Sequence, residues 1–148
     1  MDGRVIVYDS NEDEVFTDSN PAIVALAALT SGGWDDWFSG DLDESEEEVK
    51  DGDGVLAGIF VLNLSASKRY LKIFYAAAAD VTVGTTEADR DIPIPTLGDT
   101  NGAGFVVSIP SPGMGFSDGL TLAVTTGKGL TDDGAPGADE VVAWAWYK

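Results

Sequence analysis

The sequence predicts an all-β protein, an antiparallel β-sandwich or jelly-roll-like domain that follows an acidic N-terminal extension. Two observations lead to this prediction. Short apolar stretches recur through the second two-thirds of the chain, separated by turns rich in glycine, proline and aspartate, with no helical repeats between them. The chain of 148 residues contains 18 glycines and 6 prolines, a composition that favours many turns over long helices.

Charge divides the chain near residue 50. Residues 1–50 contain 14 acidic and 2 basic side chains, and residues 51–148 contain 12 acidic and 6 basic ones, so the first third carries two-thirds of the net charge of −18. We therefore predict an acidic N-terminal arm or subdomain over 1–50 and a β-sandwich over 51–148. The acid-rich stretch 41–54 is interpreted as a solvated loop or linker, with a docking patch for a basic partner as the alternative.

The N-terminal 50 residues also contain apolar clusters. Residues 3–9 are typical of a short strand, and residues 20–33 fit either a helix that begins with an asparagine cap and a proline or a strand. Residues 34–38 place three aromatic side chains within five positions. We expect residues 1–40 to pack on the exposed face of strand 55–65, in the same subunit or in a neighbour.

Downstream, alternating apolar and polar residues predict six strands, at 55–65, 70–76, 91–95, 104–110, 120–126 and 139–148. The first is apolar on both faces, which predicts a strand buried from two sides. Prolines in the segment 91–95 predict an edge strand, because proline cannot donate to a ladder. Leu120, Leu122 and Val124 are expected to point into the core, with the intervening threonines pointing outward.

The last predicted strand places Val142, Trp144 and Trp146 on one face. We expect these tryptophans to fill the core of the sandwich. A flat sugar-binding platform, on which the two indoles lie exposed, is the alternative.

The composition excludes several kinds of chemistry. The chain has no cysteine and no histidine, which rules out disulfides, thiolate nucleophiles and Ser-His-Asp catalysis. Residues 9–20 space their acids like the start of a calcium loop, but Glu14 stands where the turn needs glycine and Asn20 where a bidentate glutamate is needed. We predict no enzymatic activity, no cofactor and no metal.

The acidic surface is expected to repel nucleic acid and anionic membranes. No stretch of about 18 apolar residues predicts a membrane span. The N-terminus lacks the pattern of a signal peptide, which predicts synthesis in a cytoplasm.

Large apolar side chains on the arm and on the first predicted strand of the domain are the candidate interface residues, since aromatic side chains are frequent in binding hot spots. Packing on the core of the same domain is the alternative for the three aromatic residues, and cover by the N-terminal segment or by a sister subunit is expected for the second face of the strand. These candidates are Trp34, Trp37, Phe38, Val55, Ile59 and Val61.

Five short motifs lie in order along the domain: Tyr70–Phe74, Val83–Thr85, Ile92–Pro95, Gly119–Thr125 and Tyr147–Lys148. With them, residues 54–148 resemble small virion structural proteins of tailed bacteriophages, of the capsid decoration or cement type. The first 50 residues are not covered by the resemblance.

The resemblance implies a structural protein that binds the major capsid protein on the outside of a phage head and stabilises the shell. It also implies a homotrimer at three-fold positions of the head lattice, located on the capsid surface of the virion. The alternatives are a tail, neck or fibre component and a carbohydrate-binding β-sandwich for host attachment.

Overall fold

The computed structural model of the chain describes residues 33–96, 103–107, 109 and 112–148, and the structural statements below concern those residues alone. They form nine β-strands and one 3₁₀ helix, with no α-helix among them. In chain order these are β1 (Asp35–Ser39), β2 (Glu47–Asp51), β3 (Gly54–Asn63), β4 (Arg69–Phe74), the 3₁₀ helix Ala78–Asp80, β5 (Arg90–Ile94), β6 (Ala103–Val107), β7 (Met114–Phe116), β8 (Gly119–Thr125) and β9 (Val141–Tyr147). The predicted all-β class is confirmed.

The strands form two antiparallel sheets. One sheet has the order β1-β9-β3-β6, with β7 also paired to β3, and the other has the order β2-β8-β4-β5. Because β6 and β7 pair with successive parts of β3, they serve as one interrupted strand. Counted in this way, the eight strands have the order 1-8-3-6 and 2-7-4-5, which is the connectivity of a jelly roll. The predicted sandwich is therefore confirmed.

The main core lies between the two sheets. From β8, Leu120, Leu122 and Val124 are fully buried there, as predicted. Leu71 and Ile73 of β4 join them, and β5 is an edge strand of its sheet, as its prolines predicted.

The segment 41–54, interpreted from its acids as a loop or linker, is part of the folded domain. Leu42 and Val49 are buried in the core, and β2 pairs with β8. The acids have structural roles here: Glu46 accepts a hydrogen bond from the Val83 backbone N–H at 2.8 Å, and Glu48 accepts one from Ala78 at 3.2 Å. The solvated-linker interpretation is therefore wrong, because these carboxylates hold the backbone of another loop.

Residues 34–50, assigned from charge to the N-terminal arm, contribute β1 and β2 to the two sheets. The compact unit that contains both sheets begins at Trp34. The elements expected at 3–9 and 20–33 lie outside the described residues, apart from Gly33.

The outer face of the four-stranded sheet is covered by loops of the same domain. Phe74 and Ala123 on that face form a second buried cluster with Val81 and Ala88 from the loop between β4 and β5. Thr121, also on that face, is fully buried and donates a hydrogen bond to the Ala76 carbonyl at 2.8 Å. The threonines therefore point away from the main core, as predicted, but they face a second layer of protein instead of water.

A buried ion pair lies in the same layer. Lys72 is fully buried, and its Nζ contacts Asp91 Oδ1 at 2.8 Å and the Gly129 carbonyl at 2.5 Å. The second oxygen of Asp91 accepts the Gly129 N–H at 2.9 Å. This network ties β4, the edge strand β5 and the loop after β8 together.

The tryptophans of β9 point away from the core, so the expectation that they fill it is wrong. Val141, Ala143 and Ala145 are the buried residues of this strand, and Trp144 and Trp146 lie on its other face. The alanines face inward because Val61 and Ile59 of the neighbouring β3 lie directly beside them and already fill that part of the core.

Candidate functional site

The outer face of the five-stranded sheet carries four large aromatic side chains, which we call the aromatic face: Phe38 on β1, Phe60 on β3, and Trp144 and Trp146 on β9. Phe38 and Phe60 each pair in register with Trp144, from its two sides. Residues paired across antiparallel strands share a face of the sheet, so these three rings form one row across three strands.

The rings of this row are in contact but not coplanar. The centroids of Phe38 and Trp144 are 4.9 Å apart with an interplanar angle of 46°, and those of Phe60 and Trp144 are 5.5 Å apart at 54°. Such tilted pairs satisfy the quadrupoles of both rings. The row is thus an uneven apolar ridge, and it differs from the flat platform on which a sugar ring stacks.

A large part of the aromatic face is open to solvent. Phe38 is 55% exposed and Trp146 is 41% exposed, and Phe60 and Trp144 are partly exposed. Large apolar side chains exposed together on one surface are a recognised mark of an interaction site, whereas isolated ones are common.

Trp146 has a glycine as its register partner on one side and an aspartate on the other. On β3 its register partner is Gly58, and a Cβ atom built there would lie 3.6 Å from Cε3 of the indole. On β1 its partner is Asp36, which is exposed. The indole thus lies over a glycine on one side and beside a carboxylate on the other.

Charge distinguishes this sheet from its partner. Within the described strands, β1, β3, β6, β7 and β9 contain no lysine or arginine, whereas β2, β4 and β5 contain four. The exposed residues Asp35 and Asp36 lie at the start of β1. Beyond its end Asp41, also exposed, accepts a hydrogen bond from the Asp139 backbone N–H at 2.6 Å. Among the described residues, the aromatic face is therefore bordered by Asp36 at the start of β1 and by Asp41 and Asp139 past its end, and Lys148 directly follows β9.

The structure separates the six candidate interface residues. Trp34 is 52% exposed just before β1, and Phe38 belongs to the aromatic face. Trp37, the residue between the outward-facing Asp36 and Phe38, packs against the main core.

The three candidates from β3 are divided as well. Ile59 and Val61 are fully buried in the core of their own domain, so they are not available to a partner. Val55 is partly exposed and lies against Gly113.

Sequence reasoning missed Phe60 and gave exposure of Trp144 and Trp146 only as the alternative to core packing. The signal that identifies them is the alternation of alanine with tryptophan in β9, because a strand beside β3, whose inward residues are large, has room inside only for its small side chains.

A second feature is a cavity of about 440 Å³ lined by Lys68, Tyr70, Asp91, Pro93 and Lys128. Its one carboxylate is already bonded to Lys72 and Gly129, and both of its lysines are exposed. Its lining therefore holds no carboxylate without a partner, and it offers little specificity.

No group of three or more metal-ligating side chains lies together among the described residues, and the calcium-like stretch 9–20 falls outside them. None of the described residues belongs to a helix that is long and apolar enough to cross a membrane. No protein-family model, curated protein or solved structure matches the chain.

Proposed function

We propose that this protein is a non-enzymatic structural protein of a bacteriophage virion, a decoration protein that binds the major capsid protein on the outside of the head. The observation that carries the proposal is the aromatic face: Phe38 and Trp146 are exposed on the open side of a sheet whose inner side is a complete core.

The geometry favours binding over catalysis. Aromatic side chains supply much of the energy of protein interfaces, because each buries a large area at a small cost in conformational entropy. The aromatic face offers four such side chains on rigid strands. Many weak copies of such a contact across a lattice would stabilise a shell by mass action.

Two further observations support the assignment to a virion. The motifs of residues 54–148 resemble those of phage decoration proteins, and the strand order is that of a jelly roll, an architecture common to viral capsid proteins and lectins. Because one fold serves many functions, the fold supports this proposal only together with the motifs and the aromatic face. The same resemblance leads us to propose a homotrimer.

Purified virions made by the genome that encodes this chain provide the test. Quantitative mass spectrometry would give the number of copies per particle relative to the major capsid protein. A decoration protein is expected at a number comparable to that of the shell subunits. A handful of copies per particle would indicate a tail, neck or fibre component, and absence from the virion would overturn the proposal.

A carbohydrate-binding function is the second candidate, favoured by the exposed indole of Trp146. The tilt of the neighbouring rings disfavours it, because a sugar ring stacks on a flat surface. Calorimetric titration of the full chain with cell-surface oligosaccharides of the host tests this function. Binding that Trp146→Ser abolishes would favour the lectin function over decoration.

A further inference from the structure

We propose that Asp36 and Trp146 together form a receptor for an arginine side chain of the partner protein, set within the aromatic face. This inference rests on the proposed function, since it specifies the chemistry by which a shell protein is recognised. The occupant is a protein surface that presents an arginine next to apolar side chains.

The geometry of the two residues leads to this proposal. Asp36 and Trp146 are direct register partners of the antiparallel pair β1 and β9. Side chains in such positions share a face, with Cβ atoms about 4.5–5.5 Å apart. Both are exposed, and the side of the indole away from Asp36 lies over Gly58, which has no side chain to cover the ring. A carboxylate and an aromatic ring are therefore presented side by side.

A guanidinium group satisfies both members of this pair at once. Its flat, weakly hydrated face stacks on an indole, and its N–H groups form a bidentate contact with a carboxylate in the plane of the group. A lysine ammonium lacks both the flat face and the fork of donors, so it makes only one of these contacts well.

The surrounding charge selects a basic partner. Asp41 and Asp139 lie past the far end of β1, the described strands of this sheet contain no basic residue, and Lys148 directly follows β9. A second copy docked through the same face would bring these acids together, and a neutral glycan would gain nothing from them. A basic protein surface gains from all of them.

The test measures binding of the full-length protein to phage shells that lack it, by co-sedimentation over a range of concentrations. Trp146→Leu is expected to weaken binding by roughly 30-fold or more, the range of an interface hot spot. Asp36→Asn is expected to weaken it by about tenfold, in line with a hydrogen bond to a charged group. Glu87→Gln and Leu130→Ser, which change an exposed acid and an exposed apolar residue on the loops over the other sheet, are expected to bind like the parent.

The double variant Asp36→Asn with Trp146→Leu gives a readout that simple damage to the surface would not. If both side chains hold one guanidinium, the loss of affinity in the double variant is smaller than the product of the two single losses. Treating the shells with phenylglyoxal, which modifies arginine, is expected to abolish binding, and acetylating their lysines is expected to leave most of it.

Each of the following results would contradict the arginine receptor. Multiplicative losses, or binding that survives arginine modification, would overturn the arginine receptor. Self-association that Trp146→Leu abolishes, without an effect on shell binding, would identify a second copy as the occupant and would also overturn it. If the parent binds shells and the face variants bind equally, only this inference fails; if the parent binds no shells, the proposed function fails with it.

Discussion

The two sheets of this sandwich share one core, but the outer face of one is buried and the outer face of the other is exposed. The outer face of the four-stranded sheet is buried beneath loops of the same domain, where Phe74 is only 1% exposed. The outer face of the five-stranded sheet holds Phe38 at 55% exposure. Phenylalanine on an outward-facing position is thus part of a core in one sheet and part of the surface in the other.

The chemistry of the two faces follows from what covers them. Under the loops, the face contains polar groups such as Thr121 and Lys72, each satisfied by a loop carbonyl or carboxylate. On the open sheet the outward residues of β9 are Val142, Trp144 and Trp146, whose side chains are mainly apolar and remain partly or largely exposed. Among the described residues, the outer face of one sheet is therefore buried by its own domain, and the outer face of the other keeps large aromatic side chains exposed.

The largest effect is expected in the layer that both sheets share. Leu122→Asp places a carboxylate in the main core, where Leu122 is fully buried, and is expected to cost about 4 kcal/mol or more and to prevent folding. Circular dichroism of the purified variant measures this. A variant that melts like the parent would show that the register of β8 is shifted by one residue.

The second largest effect is expected at the buried ion pair of Lys72 and Asp91 on the covered sheet. Lys72→Met leaves Asp91 without its cation in a site that is only 10% exposed, and is expected to cost about 3–5 kcal/mol of unfolding free energy. Lys68→Met is the matched control, because Lys68 is exposed, and it is expected to change stability by less than 0.5 kcal/mol, the usual range for surface sites. Urea denaturation compares them, and equal costs would contradict the buried layer.

The sequence was sufficient to predict the strands and the inward face of β8, where leucine and valine alternate with threonine. It was not sufficient for β9, because alanine and tryptophan are both apolar and their alternation does not say which face is inside. That choice depends on the size of the side chains in β3, and pairing between strands distant in the chain is not visible in local pattern.

The interpretation of the acid-rich stretch 41–54 as a solvated loop or linker was wrong for a related reason. Its composition is typical of a solvated loop, yet Glu46 and Glu48 accept hydrogen bonds from backbone groups more than 25 residues away. Likewise, the pattern of β8 predicts threonines that point away from the main core, but a strand pattern carries no information about the loop that lies over them. The candidate site could be predicted only in part: Phe38 was a candidate interface residue, and exposed Trp144 and Trp146 were the alternative to core packing.

Two glutamates are expected to change the stability of the fold with pH in opposite directions. Burial acts to raise the pKa of Glu140, but the hydrogen bond from Arg69, one from Gly137 and the charge of Arg69 outweigh it and hold the pKa below its ordinary value. Burial also raises the pKa of Glu47, and the hydrogen bond from Ser39 lowers it. The negative charges of Asp43 and Asp41 raise it further, so the pKa of Glu47 lies above its ordinary value.

The signs follow from linkage between protonation and folding. A lowered pKa means that ionised Glu140 stabilises the fold above the ordinary carboxyl range near pH 4, and that this contribution disappears as the pH falls through the folded pKa. A raised pKa means that ionised Glu47 opposes folding at neutral pH, and that protonation relieves this on acidification.

We therefore expect Glu140→Gln to lower the melting temperature at pH 7 and to have less effect at pH 3.5. Glu47→Gln, which keeps an acceptor for the Ser39 hydroxyl, is expected to raise the melting temperature slightly at pH 7, with the gain disappearing at low pH. Because both substitutions remove one negative charge, comparing the two variants with each other at each pH removes the effect of the net charge. The same sign for both variants at pH 7 would contradict this assignment.

Substitutions on the aromatic face are expected to cost little stability, in contrast to matched substitutions on the covered face of the other sheet. Phe38→Ser removes an exposed ring whose main contact is the tilted pair with Trp144, so it is expected to cost about 1 kcal/mol. Phe74→Ser makes the same change on the outer face of the other sheet, where the ring is buried, and is expected to cost about 3–5 kcal/mol. Urea denaturation of both variants gives the difference directly. Equal costs would mean that the aromatic face is held by the domain itself, and a small cost at Phe38 together with weakened shell binding would mean that its ring serves assembly.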